Sequence, residues 1–182
     1  MELNMKLVLS LAVIFALSVS VCSAQTKVTK ESVPGITNFA RVETTVACSG
    51  AIKPESVAEI KKMGFASIIN LRLATEEGAN IDAEQAASKA AGINFVHLPL
   101  SNASPDTAVV DRFLKVVAEP GNQPAFIHCA GGNRAAALWF IKRAVVDKWD
   151  MDRALSEATQ LGYSPQPTLK TFVANYIETH KK

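Results

Sequence analysis

Apolar residues recur at two alternating periods along the chain. Across 54–64, Val57, Ile60 and Met63 stand at helical spacing and Gly64 ends the run, while 66–71 is a short continuous β-rich stretch. The switch then repeats. Ala83, Ala86, Ala87, Ala90 and Ala91 form a narrow apolar helix face stopped by Gly92, and 94–98 reads as the next strand. Val109, Val110, Phe113, Leu114 and Val117 predict a helix closed by Pro120 and Gly121, followed by a strand over 124–128. Residues 134–146 are apolar almost throughout, which predicts a buried helix. One further helix carries Met151, Ala154, Leu155, Ala158 and Leu161 and stops at Gly162. The last starts near Pro167 and repeats Leu169, Phe172, Val173, Tyr176 and Ile177. Upstream, 39–43 and 45–49 read as short edge strands.

Strand and helix in strict alternation imply a three-layer α/β domain with a small, mostly parallel sheet flanked by helices and joined by right-handed crossovers. Ligands in such sheets lie beyond the carboxyl ends of the strands. The strand ends of interest are therefore 70–72, 99–106 and 129–134.

The first residues stand apart from this pattern. Lys6 precedes the apolar run 7–17, and small residues then lead to Ala24, the arrangement of an export signal cleaved near Ala24. The run is shorter than the roughly 20 apolar residues that span a bilayer, so no lasting membrane insertion is expected. The expected organisation is a signal peptide over 1–24, a lead-in over 25–37 and one domain over 38–182, periplasmic or secreted. Apolar residues make up 48% of the chain, as in a globular domain, and the net charge of +2 includes no basic block for nucleic acid. Only Cys48 and Cys129 follow the leader, too few for a disulfide framework. Three histidines without ligand spacing and no Gly-Lys-Ser/Thr loop point to an enzyme without metal or other cofactor.

The chemistry concentrates between a buried strand and a buried helix, at His128, Cys129, Ala130, Gly131, Gly132, Asn133 and Arg134. The strand delivers Cys129 to the sheet edge, and two glycines allow the backbone to curl with its N–H groups inward. The N-terminus of the following helix adds its own unpaired N–H groups. Arg134 closes the ring with a guanidinium able to grip two oxygens of an anion, and the same positive field is expected to favour the Cys129 thiolate. Residues 130–134 are then the substrate cradle, with Cys129 and Arg134 catalytic. Asp106, after the strand at 94–98, is the first choice of general acid, with an N-cap as its other reading. Asp111, Glu76 and Glu77 are alternatives. Arg72 is a candidate second anion contact, and His128 a support for the loop. His97 reads as structural, Trp139 and Trp149 as packing residues. A Cys48–Cys129 disulfide is a redox option open to test.

The loop resembles the signature of protein tyrosine and dual-specificity phosphatases, which reads His, Cys, five residues, Arg and then Ser or Thr, with Gly third after the Cys. His128, Cys129 and Gly132 match. Four residues separate Cys129 from Arg134, however, and Ala135 stands where the hydroxyl is expected. The form Cys-x-x-Gly-x-Arg is similar to the rhodanese loop, but that family's Asp-Val-Arg, Gly-His-Ile and late Gly-Gly…Trp features are not evident. Over 38–162 the chain resembles the phosphatase-like domain of beta-lactamase-hydrolase-like proteins. That resemblance is carried by Cys48, Ser49 and Gly50, by Gly64 and Phe65, by 68–72, by His97, Leu98 and Pro99, and by the loop running into Ala137, Leu138 and Trp139. It implies a tyrosine-phosphatase-like fold and hydrolysis of a phosphorylated small molecule or phosphoprotein through a phosphocysteine. Two other readings stay open: rhodanese-like sulfur transfer through a Cys129 persulfide, and a non-catalytic module that binds a phosphorylated ligand.

Overall fold

The computed structural model describes residues 27–181. The expected signal peptide over 1–24 lies outside them. Six strands form one sheet: β1 (Val28–Lys30), β2 (Ala40–Val42), β3 (Val46–Ser49), β4 (Ser67–Asn70), β5 (Asn94–His97) and β6 (Ala125–His128), in the order β1-β2-β3-β6-β4-β5. The four strands β3, β6, β4 and β5 run parallel, and β2 and β1 add antiparallel to one side. The lead-in thus contributes β1. The strands predicted over 39–43 and 45–49 are interior, not edges. β3 is buried at all four residues because β6 pairs with one side of it and β2 with the other.

Helices cover both faces. α1 (Val57–Lys62) and α2 (Ile81–Ala91) pack Val57, Ile60, Ala87 and Ala91 against Ala47, Ile68 and Phe126. On the other face, α3 (Thr107–Ala118), α4 (Asn133–Ile141), α5 (Met151–Gln160) and α6 (Pro167–His180) enclose Cys48, Ile69, Ile127 and Cys129. Strand periodicity sorts neighbours to opposite faces, so Phe126 and His128 look toward α2 while Ile127 and Cys129 look toward α4. Ala135, Ala136 and Ala137 are fully buried, and their small side chains bring the first turn of α4 close against the sheet behind Cys129.

The long apolar helix predicted over 134–146 is α-helical only to Ile141. A π turn follows over Lys142–Val146, closed by a bond from Asp147 N–H to the Lys142 carbonyl at 3.1 Å. There Arg143 lies over the rings of Trp139 and Trp149 and donates to buried Glu157, which also accepts from Trp139 Nε1 at 2.8 Å. No helix among the described residues is long and apolar enough to cross a membrane.

Candidate active site

β6 ends at His128, and Cys129 continues its ladder by donating N–H to the Ser49 carbonyl at 3.2 Å. The chain then curls. The Ala130 carbonyl accepts from Ala51 N–H at 2.8 Å, and the Gly131 carbonyl accepts from Asn38 Nδ2 at 3.1 Å. In a trans peptide the N–H points away from the C=O, so two carbonyls tied outward turn the N–H groups of Gly131 and Gly132 inward. The Gly132 N–H indeed meets the Cys129 sulfur at 3.1 Å.

Only one of the two loop glycines is needed for the backbone bend: Gly132 has φ of 100°, whereas Gly131 has ordinary φ and open space at its missing Cβ. The other sterically required glycine lies across the sheet. A Cβ on Gly50 would stand 2.8 Å from the Ala130 carbonyl, so Ser49 and Gly50 form part of the same rim because the loop leans directly on them.

Arg134 closes the cup. It is 4% exposed, and its Nη1 donates to the carbonyls of Leu71 (3.1 Å) and Leu100 (2.8 Å). Glu76 grips the end of the guanidinium with both oxygens, at 2.5 Å from Nη1 and 2.8 Å from Nη2. These partners leave the Nε–Nη2 edge for an anion in the loop, the planar fork that matches two oxygens. Burial works to raise the Glu76 carboxyl, but hydrogen bonds from Arg134 and from the Leu73 N–H outweigh it and hold it down to about 2. Burial likewise opposes the charge on Arg134, and Glu76 together with the Cys129 sulfur more than offsets it, raising the guanidinium further.

The remaining sequence candidates fall in different places. Arg72 is not a second anion contact. It is 3% exposed, and its guanidinium is spent on Glu76 Oε2 at 3.4 Å, on the Gly78 carbonyl at 3.0 Å and on the Glu77 carbonyl. Glu76 is no proton donor at neutral pH, since it is held ionised. Asp111 accepts from the Tyr176 hydroxyl at 2.5 Å and ties α3 to α6. Asp106 caps α3 by accepting from Ala108 N–H at 2.9 Å and stays exposed, on the loop whose Leu100 carbonyl meets Arg134.

The Asn133 side chain accepts from Ser164 N–H at 2.9 Å and pins the 162–166 segment beside the loop. The His128 ring faces α2, with Nε2 3.1 Å from the buried Glu84 carboxylate, which also accepts from Asn70 Nδ2 at 2.7 Å. His97, read as structural, places Nε2 2.8 Å from the Arg72 carbonyl.

Cys48 and Cys129 are free thiols. Cys48 pairs with Ile127 in the β3–β6 register, so Cys129 is one diagonal step away on the same face. One strand spacing and two residues of rise put such Cα atoms roughly 8 Å apart, past the limit of about 7 Å for bridging without backbone movement. The register of β3 and β6 therefore holds the two thiols too far apart for a disulfide. Burial, then the charges of Cys129 and Glu157, push the Cys48 thiol well above its ordinary range.

Sequence reasoning missed Glu84 entirely and gave Glu76 the wrong role. A carboxylate on a helix face beside alanines carries no mark of being buried, and the partner of Glu76, Arg134, lies in the first turn of α4, far along the chain. The carbonyl acceptors of Leu71 and Leu100 had no side-chain signal at all.

Comparison with known proteins agrees with this geometry. Curated relatives include the beta-lactamase hydrolase-like proteins of Xylella fastidiosa, 29% identical over 65% of this chain and 27% of theirs. That of Agrobacterium fabrum is 30% identical over 58% of this chain and 25% of its own. The chain thus spans about a quarter of the curated relatives it matches. Among solved structures, a DUF442 candidate phosphatase of Shewanella putrefaciens superposes with a TM-score of 0.69 at 18% identity, over 81% of this chain and 96% of that one. The core catalytic domain of the PP-IP phosphatase SIW14 from S. cerevisiae, in complex with citrate, gives 0.64 at 23% identity, over 80% and 88%. A variant of P. aeruginosa TpbA in complex with pTyr gives 0.65 at 19%, over 88% and 96%. These likenesses establish the tyrosine-phosphatase-like fold. The profile of the phosphatase-like domain of beta-lactamase hydrolase-like proteins matches residues 38–146, more than half of the sequence, and the chain belongs to that family.

Proposed function

We propose that the protein is a cysteine-dependent phosphatase that hydrolyses phosphate monoesters through a phosphocysteine intermediate. The observation that carries this reading is the cup itself: a Cys129 sulfur that accepts the Gly132 N–H at 3.1 Å, inside a loop closed by a clamped Arg134. The thiolate attacks phosphorus in line and forms the S–P bond while the P–O bond to the leaving group breaks. Inward N–H groups and the Nε–Nη2 edge of Arg134 hold the equatorial oxygens where charge develops. Asp106 gives its proton to the departing oxygen, then takes one from the water that attacks phosphorus, which breaks S–P and releases inorganic phosphate with the thiolate restored. The pTyr bound by the TpbA variant supports a phosphorylated substrate, on a small molecule or a protein. The leader pattern over 6–24 supports export to the periplasm or medium as the setting.

The six-residue loop has the length of a sulfurtransferase loop, and one experiment separates the two chemistries. Purified protein is given an aryl phosphate in one vessel, and thiosulfate with cyanide in another. The expected result is release of inorganic phosphate that Cys129→Ser abolishes. Thiocyanate formation without phosphate release overturns the proposal in favour of a Cys129 persulfide.

A further inference from the structure

Arg72 is a buried cation, 3% exposed, whose guanidinium is spent on the segment that follows it. It nevertheless sits at the carboxyl end of β4, beside the machinery, with every part of it held. Its N–H donates to Asn70 Oδ1 at 2.7 Å, and His97 Nε2 meets its carbonyl at 2.8 Å, so the backbone is pinned from both sides. Its side chain then turns back on the chain that follows. Nη1 and Nη2 hold the carbonyls of Gly78 and Glu77, and Nε faces Glu76 Oε2 at 3.4 Å. Those contacts close 72–78 into a short loop, helped by Gly78 at φ of 70° and by Glu76 Oε1 accepting from Leu73 N–H at 2.9 Å.

The one side chain this loop projects onto the catalytic machinery is Glu76, whose two oxygens take both terminal nitrogens of Arg134. An arginine free to swing about its long side chain offers an anion many geometries, only one of which presents the Nε–Nη2 edge. Fixing it in advance removes that ordering cost when ligand binds. Glu76 does the fixing, and its own carboxylate is fixed by what Arg72 holds.

We propose that Arg72 is a positioning residue for the reaction: it pins the 76–78 loop so that Glu76 sets the anion-binding edge of Arg134. This rests on the reading of Arg134 as the oxyanion-binding arginine of a phosphatase. Arg72 touches no substrate and acts only through Glu76.

The test uses the full chain and two readouts that do not depend on turnover. One is the affinity for inorganic phosphate by titration calorimetry. The other is the Arg134 Nε–H signal in a nitrogen-15 spectrum, assigned by its loss in Arg134→Lys. Arg72→Ala and Glu76→Ala are each expected to weaken phosphate binding about tenfold, the size of one charge-assisted hydrogen bond. Both should move the Arg134 signal to the same new position. The double variant should be no worse than either single one, because the two residues act in series. Arg72→Lys keeps the charge but not the fork, so it covers the case in which Arg72→Ala does not fold, and a smaller shift in the same direction is expected.

An unmoved Arg134 signal with native phosphate affinity in Arg72→Lys or Arg72→Ala overturns the proposal, as does a double variant whose losses multiply. If the native chain binds no phosphate, the phosphatase reading fails. The Arg134 signal then decides the positioning role alone.

Discussion

Two neighbouring strands of this sheet, β4 and β6, each run into a loop that contains an arginine, and the two arginines have opposite fates. After β6, the carbonyls of Ala130 and Gly131 are drawn outward by Ala51 and Asn38, so the loop turns its N–H groups inward and Arg134 completes a cup of donors. After β4, the carbonyls of Glu77 and Gly78 turn inward, onto Arg72 itself. The first loop has donors to offer a ligand; the second has satisfied its own. Position at the sheet edge and residue type are alike in both, so neither decides which arginine keeps donors to offer an anion. The direction of the neighbouring carbonyls does.

The comparison makes predictions of decreasing size. Arg134→Lys replaces the fork with a point charge and should lower kcat by ~100- to 1000-fold, the cost of a lost transition-state donor, as read by steady-state assay of an aryl phosphate. Glu76→Gln keeps the shape of the clamp but removes its charge, and a drop of about tenfold in kcat/KM is expected from the looser arginine. Gly50→Ala forces the Cys129 loop off its rim and should destabilise the chain by about 1–3 kcal/mol, the usual penalty of overpacking, measured by denaturant titration.

The smallest effect concerns acid stability. The Glu76 carboxyl lies near 2 in the folded chain against an ordinary 4.5. A lowered folded value means its contribution is complete above about 4.5 and is lost as pH falls toward 2. Melting temperatures from pH 2 to 6 should therefore fall less steeply in Glu76→Gln than in the native chain.

Much of this was legible in the amino-acid pattern. The alternation of periods gave the three layers and the parallel sheet, because burial on both faces leaves uninterrupted runs such as Ala125–His128. That Cys129 and Arg134 share one loop was legible because the two residues stand at that spacing between a strand and a helix. What stayed hidden were relations between distant segments. β3 looked like an edge since nothing in four residues reveals two partners, and Arg72 stood as a candidate ligand contact since two of its three acceptors are main-chain carbonyls that every residue has. Asn38 also gave no hint of its role; it reaches Gly131 across more than ninety positions of chain. Ala135 marks a departure from the phosphatase signature that sequence did register, and it bears directly on the proposed mechanism: the side chain at this fully buried position offers no hydroxyl to a departing thiolate.

That departure supplies the most direct test of the central claim. Rapid-quench mixing of the enzyme with an aryl phosphate should give a burst of phenol equal to the enzyme present, followed by slow release, and Ala135→Ser should quicken the slow phase. Acid-quenched protein from the burst should carry one phosphoryl group, located by peptide mass at Cys129. Linear phenol release with no phosphoryl group on Cys129, or a phosphoryl group carried by another residue, would contradict the account.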